Sequence, residues 1–233
     1  MTAIPESIRI GARDFPVWPE GQPVKGRGDR VIAMTSFADA PDFHPALIEK
    51  MLKLYQDPSV KRMCSPSSAG TKIHVIDEWN IPEANLVNAR ARAFFQKVFG
   101  QAESYIHVSW VNISRRGEYS LAHSHPDCMA SVVYCLDKGD PNPEDPLDGQ
   151  LAFVDPRYEA CCRAQKDFMT TPYLPKMAPG SMIIFPSSLV HAVNPYRGER
   201  PRITFSWDLN NSPSGAPRVL DELARQDPSP EIT

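Results

Sequence analysis

From about residue 104 the chain alternates short apolar runs with turn signals, and this rhythm constrains its fold more than any other feature. The segments Tyr105–Ile113, Glu118–Ser124, Met129–Leu136, Gly149–Val154, a weak Thr170–Leu174, Ser181–Phe185, Val190–Asn194 and Arg202–Leu209 read as short strands. A series of this kind closes into a jelly roll or barrel. The 24 prolines, twice the 12 glycines, fall mostly between the periodic segments, as expected of a loop-rich β fold. Two insertions interrupt the strands. Asp137 to Asp148 is acidic and proline-rich and reads as an exposed loop of disorder-compatible composition. Pro156 to Pro179 has room for a helical turn around Tyr158–Asp167 and could act as a lid or be surface decoration.

The first hundred residues read as mixed α and β. Arg30–Phe37 and Thr71–Asp77 are strand-like, and Pro45–Gln56 carries Leu47, Ile48, Met51, Leu52 and Tyr55 on one helical face. A second helix has Asn80 as candidate cap, Pro82 in its first turn and Glu83 three residues after the cap. Val87, Ala91, Phe94, Phe95 and Val98 form its buried stripe, and Gly100 ends it. Its Arg90, Arg92 and Lys97 read as a solvated face. The expected organisation is a single domain: N-terminal α/β elements over 1–103 packing on a β core at 104–211, and a polar tail at 212–233 with a short helix near Arg218–Gln226.

A chain of 233 residues with 42% apolar content can bury a sizeable core. Its net charge of −3 gives no nucleic-acid footprint, and no window is apolar enough to span a membrane. Five cysteines without framework spacing, and no signal-like N-terminus, point to reduced thiols and a cytoplasmic protein. The N-terminal elements or the tail could serve a homodimer.

Six histidines occur. His44, His74 and His107 read as structural. His123 and His125, at i and i+2 on an extended segment, point to one side. Pro126 biases His125 towards extended backbone. Gly180 opens the apolar strand that breaks at Pro186, and a turn there would return the chain past the pair at His191. Three imidazoles on one face suit Fe, Zn, Cu or Ni. With period two, Arg202, Thr204 and Ser206 share one face and Ile203, Phe205 and Trp207 the other, so Arg202 and Thr204 can together take a carboxylate.

Trp110-Val-Asn112, Gly117-Glu-Tyr119, His123-Ser-His125-Pro126, Ser131-Val-Val-Tyr134, Gly149-Gln-Leu-Ala-Phe-Val-Asp155-Pro-Arg157, Pro179-Gly180-Ser-Met-Ile-Ile-Phe185-Pro186, His191-Ala-Val and Arg202-Ile-Thr-Phe-Ser together resemble a subfamily of 2-oxoglutarate/Fe(II)-dependent oxygenases related to prolyl hydroxylases. The resemblance covers about residues 104–210. It implies a mainly β protein with flanking helices and a double-stranded β-helix (jelly-roll, cupin-like) core. It also implies Fe(II), 2-oxoglutarate as co-substrate, O2, and release of succinate and CO2 as a small-molecule or amino-acid-like substrate is hydroxylated. The first metal ligand falls on His123 and the distal one on His191. The co-substrate's C5 carboxylate falls on Arg202 with Thr204, and Tyr119, Tyr134 and Asn112 line the expected pocket.

The wider superfamily uses His-x-Asp/Glu, and this chain has His125 where the carboxylate should be. Either three histidines bind iron, or His125 and Asp127 form the pair in a shifted register. The three-histidine set is preferred because Pro126 interrupts the alternative. Three neutral imidazoles would leave the ion fully dicationic and so favour anionic co-substrates. Two other readings stay open: a three-histidine cupin-type dioxygenase or isomerase without 2-oxoglutarate, and a non-catalytic jelly-roll binding module. Arg157, Trp207 and Asn210 are candidate substrate contacts.

Overall fold

Alternation along Arg202–Asn210 sorts side chains into two environments and reveals how the molecule is layered. Ile203, Phe205, Trp207 and Leu209 enter the main apolar core beneath the helices, whereas Arg202, Thr204 and Ser206 line a cavity on the opposite face. The computed structural model describes residues 3–27, 32–59, 68–74, 76–154 and 172–213. Thirteen strands lie among them: β1 (Ser7–Ile10), β2 (Arg13–Pro16), β3 (Lys25–Arg27), β4 (Ile32–Ser36), β5 (Ser68–Ala69), β6 (Thr71–His74), β7 (Tyr105–Ser114), β8 (Tyr119–His123), β9 (Ala130–Asp137), β10 (Leu151–Phe153), β11 (Ser181–Pro186), β12 (His191–Val193) and β13 (Arg202–Asn210). Helices α1 (His44–Gln56) and α2 (Pro82–Phe99) precede β7.

A seven-stranded sheet runs β3-β4-β11-β9-β13-β7-β6, and a four-stranded one runs β10-β12-β8-β5. Every strand pairing within these two sheets is antiparallel, as expected of the predicted jelly roll. The strands before residue 104 extend both sheets rather than lying only outside them. A second, smaller core of Ile32, Leu151, Phe153, Ile183, Phe185 and Leu189 fills one part of the space between the sheets. The layers are therefore helices, large sheet and small sheet. Of the weak Thr170–Leu174 strand, only a bridge from Tyr173 to Phe153 is present. Residues 170–171, the Tyr158–Asp167 turn, Arg157 and the Arg218–Gln226 helix lie outside the described residues.

Helix α2 starts one residue later than its sequence signals imply. Ile81 is the N-cap, with Pro82 just inside and no side-chain cap bond. Proline's fixed φ suits the first helical position, so Asn80 falls outside. Glu83 turns instead to the Lys50 ammonium, 2.6 Å away. Gly100 closes the helix in the left-handed conformation (φ 62), where glycine carries no Cβ penalty. The expected stripe is buried at Val87, Ala91, Phe94 and Phe95 and half-buried at Val98, but Arg90 is buried too, 0% exposed rather than solvated. Its guanidinium donates to both carboxylate oxygens of Asp39 at 3.0 and 2.6 Å, and to the Pro16 carbonyl at 3.0 Å. The stripe covers the sheet, and the chain around Pro16 and Asp39 covers the helix's other side.

The acidic insertion is also tightly held. Asp148, 2% exposed, accepts the Asn142 and Arg197 amides at 2.6 and 2.7 Å. Asp140 accepts the Arg200 amide at 2.8 Å and the buried Tyr196 hydroxyl at 2.9 Å. Backbone amides thus consume acids that composition alone assigns to solvent. Gly180 (φ 90) makes a comparably close turn: a Cβ there would lie 2.9 Å from that of Ala40.

His44 is structural, as expected. Its Nε2 lies 2.6 Å from the Tyr134 hydroxyl, and burial, aided by the nearby Arg90 charge, lowers its pKa to about 4. The folded protein therefore keeps His44 neutral down to about pH 4, whereas the unfolded chain takes up a proton near pH 6.5. This contribution is complete above pH 6.5 and is lost as pH falls towards 4. About 2 kcal/mol should be gone by pH 5. Urea unfolding of metal-free protein at pH 7 and pH 5 measures this, and His44→Gln should flatten the difference by about that amount.

Candidate metal centre

Three imidazoles meet between the sheets. β12 runs antiparallel to β8 with His191 opposite His123, the return path expected from the Pro186 break. His125 follows just beyond β8, its amide donating to the Ser187 carbonyl at 2.9 Å. One nitrogen from each of His123, His125 and His191 lies within 4.8 Å of the others. Among the described residues this cluster holds no carboxylate, and Asp127 is not part of it. Asp127 occupies the turn after Pro126 with φ 61, and its carbonyl accepts the Asn210 side-chain amide at 2.9 Å.

The hydrogen bonds fix which nitrogens face inward. Nδ1 of His123 lies 2.6 Å from the Leu121 carbonyl, and Nδ1 of His191 lies 2.9 Å from the Leu189 carbonyl. Nδ1 of His125 lies 2.7 Å from Asp208 Oδ1. Carbonyls and carboxylates only accept, so each Nδ1 carries the proton and each Nε2 keeps its lone pair. Three converging neutral nitrogens with their tautomers held from behind suit a divalent transition metal. Burial lowers the pKa of His123 and brings that of His191 to about 3, which keeps both rings in the neutral, ligating form.

Arg202 stands in the same cavity, 9% exposed. Burial works against its charge. Among the described residues it has no carboxylate partner. A desolvated guanidinium without an anion is costly, and the cavity can admit one. Thr204, one pleat on, lies in the same wall. Asn112 bridges the row, donating to the Ser206 hydroxyl at 3.1 Å and accepting from Trp110 Nε1 at 3.1 Å. Tyr119 also lines the cavity.

Tyr134 does not. It is fully buried in the helix-side core and bonded to His44. On β9 its neighbours Ser131 and Val133 face the cavity, and pleat alternation sends Tyr134 the other way. Trp207 is likewise no substrate contact: it is fully buried, donating from Nε1 to Asn88 Oδ1 at 2.8 Å. Asn210 accepts the Met129 amide and donates to Asp127, ties that hold the loop.

Two cavity-side residues escape the sequence reading. Lys72 on β6 sits opposite Asn112, and its ammonium lies 5.5 Å from the centroid of the Trp110 ring. Burial lowers its pKa. No sequence signal marks it, because only the pairing of β6 with β7 brings it to the cavity. Asp208 was accessible to the period-two rule that selected Arg202, Thr204 and Ser206, being the next residue of that face.

The family described as "Putative 2OG-Fe(II) oxygenase" matches residues 108–208. None of the curated proteins matches the chain. Among solved structures, a prolyl-4-hydroxylase from Pseudomonas putida aligns over 77% of this chain and 92% of its own, at 17% identity and a TM-score of 0.53. EctD from S. alaskensis, solved with 2-oxoglutarate and 5-hydroxyectoine, aligns over 83% and 78%, at 18% identity and a TM-score of 0.59. The viral collagen prolyl hydroxylase of Paramecium Bursaria Chlorella virus-1 aligns over 77% and 96%, at 14% identity and a TM-score of 0.52. These likenesses are of fold, and they agree with a jelly-roll core. The family match, confined to residues 108–208, runs through all three inward imidazoles and the cavity arginine, so this part of the chain is similar to the 2OG-Fe(II) oxygenases.

Proposed function

We propose that His123, His125 and His191 hold the Fe(II), that Arg202 with Thr204 binds the C5 carboxylate of 2-oxoglutarate, and that the enzyme hydroxylates a small, amino-acid-like substrate. One observation carries this reading: every inward imidazole has its Nδ1 proton committed to an acceptor, leaving three Nε2 lone pairs for one ion. Bound Fe(II) supplies O2 activation coupled to oxidative decarboxylation of 2-oxoglutarate to succinate and CO2. The protein's own share is placement. Arg202 gives a planar fork of N–H donors to a carboxylate and Thr204 adds a hydroxyl. Asn112 fixes the hydroxyl row beside them. Phe185, packed against His191 with ring centroids 4.8 Å apart, keeps water from that side of the cluster. Tyr119, 38% exposed, stands where the cavity meets solvent and is positioned to touch the substrate. The free thiols of Cys128 and Cys135 support a reducing, cytoplasmic setting. No helix among the described residues is long and apolar enough to cross a membrane.

Anaerobic addition of Fe(II) and 2-oxoglutarate should produce a weak visible charge-transfer band, and admitting air should yield succinate. Absence of both would reject the reading. Arg202→Gln should weaken 2-oxoglutarate binding about 30-fold or more, since truncating one partner of a buried charge pair costs about 2–5 kcal/mol. Titration of the charge-transfer band reads this directly. Unchanged affinity would move the C5 carboxylate elsewhere.

A further inference from the structure

The three imidazoles are not held alike. His123 and His191 each donate to a backbone carbonyl two residues earlier, a neutral acceptor. His125 alone donates to a carboxylate, Asp208 Oδ1, at 2.7 Å. Asp208 is 5% exposed. Its Oδ1 also accepts the Ser131 hydroxyl at 2.6 Å, and Ser131 Oγ lies 3.1 Å from Ser187 Oγ. Ser187 in turn accepts the His125 amide through its carbonyl. Ring and backbone of His125 are thus tied to one network.

No lysine or arginine among the described residues bonds to Asp208; Lys72 acts on it only through space. A buried carboxylate is costly unless a positive charge compensates it. The His125 ring carries its other nitrogen straight into the cluster, where a dication would sit among three neutral ligands.

We propose that Asp208 is the charge-compensating positioning residue of the metal centre, delivering through His125 the negative charge that the three neutral imidazoles withhold. It fixes the Nδ1–H tautomer of His125 and raises the basicity of its Nε2, the effect outer carboxylates have on ligating histidines. This inference rests on the three-histidine reading of the site.

The test is metal affinity, with Mn(II) in air and Fe(II) under anaerobic conditions, measured by competition with a chromophoric chelator on the full chain. Asp208→Asn keeps the shape and an acceptor oxygen but removes the charge. It should weaken metal binding about 10–100-fold. The same substitution made in a His125→Asp background, where no imidazole needs the help, should change affinity less than about 2-fold by the logic of a double-mutant cycle. An equal loss in both backgrounds would mean a merely structural role and would overturn the proposal. So would wild-type affinity in Asp208→Asn. Should that variant misfold, nitrogen-15 NMR of the Zn(II)-loaded wild type still decides: His125 must carry its proton on Nδ1, and an unprotonated Nδ1 overturns the inference. His123→Ala separates the two levels. If it retains the ion, the three-histidine site itself falls and this inference with it. If it loses the ion while Asp208→Asn binds normally, only the role of Asp208 falls.

Discussion

Replacing His191 by alanine is expected to lower divalent-metal affinity more than about 100-fold, beyond what an outer-sphere partner is worth, and to abolish 2-oxoglutarate-dependent succinate formation. Among the described residues His191 has no substitute nearby: the cluster there contains two other nitrogens, and both already face the same point. The fold should survive. The ring is neutral at ordinary pH because burial holds its pKa at about 3, so its loss strands no charge. It leaves the Leu189 carbonyl without its 2.9 Å partner and a gap beside Phe185. Those costs are on the order of 1–3 kcal/mol. Calorimetric titration with Mn(II), paired with a thermal melt of the metal-free protein, separates lost ligation from lost structure. Metal binding within tenfold of wild type would remove His191 from the ligand set.

A second large effect is expected far from the cavity. Asp39→Ala should destabilise the protein by about 3–5 kcal/mol, because it leaves a buried guanidinium uncompensated. Arg90 is fully enclosed, stacked over the Phe37 ring at 4.1 Å, and its Nε already lacks a partner. Asp39 supplies both of its carboxylate contacts. Removing the charge together with its partner, in Asp39→Ala/Arg90→Met, should recover much of the loss, since replacing a buried pair with apolar groups is often neutral or better. Urea unfolding at pH 7 measures both variants. A double variant as unstable as the single would show that the Pro16 carbonyl and ring contacts of Arg90, not the ion pair, hold the N-terminal segment to α2.

Sequence reading succeeded where a single element dictates the answer. Period two along β13 put Arg202 and Thr204 on one face and Phe205 and Trp207 on the other, and the structure agrees. The Pro186 break correctly implied that His191 returns beside His123. It failed where a third layer decides. Arg90 looks solvated because α2 alone shows just one apolar stripe; the second buried side exists because the chain near Pro16 and Asp39 folds over it. Tyr134 was assigned to the cavity by resemblance, yet the alternation of β9, visible in Ser131-Val-Val-Tyr134, already placed it opposite Ser131 and Val133. The acids of the 137–148 insertion could not be read as structural, because their partners are main-chain amides near residues 142, 197 and 200.

Three inward nitrogens, with no oxygen donor in the cluster among the described residues, also bear on handling. A site built from imidazole alone discriminates poorly by charge, and intrinsic affinities for such donors rise from iron through nickel to copper, with zinc above iron. Whichever ion is most available during preparation will therefore tend to win the His123, His125, His191 cluster. Nickel leached from an affinity column, or zinc from buffer, would yield a well-folded but inert sample. Mismetallation, rather than absence of catalytic machinery, is thus the first explanation to check for an inactive preparation, and stripping with chelator before anaerobic iron loading is the remedy.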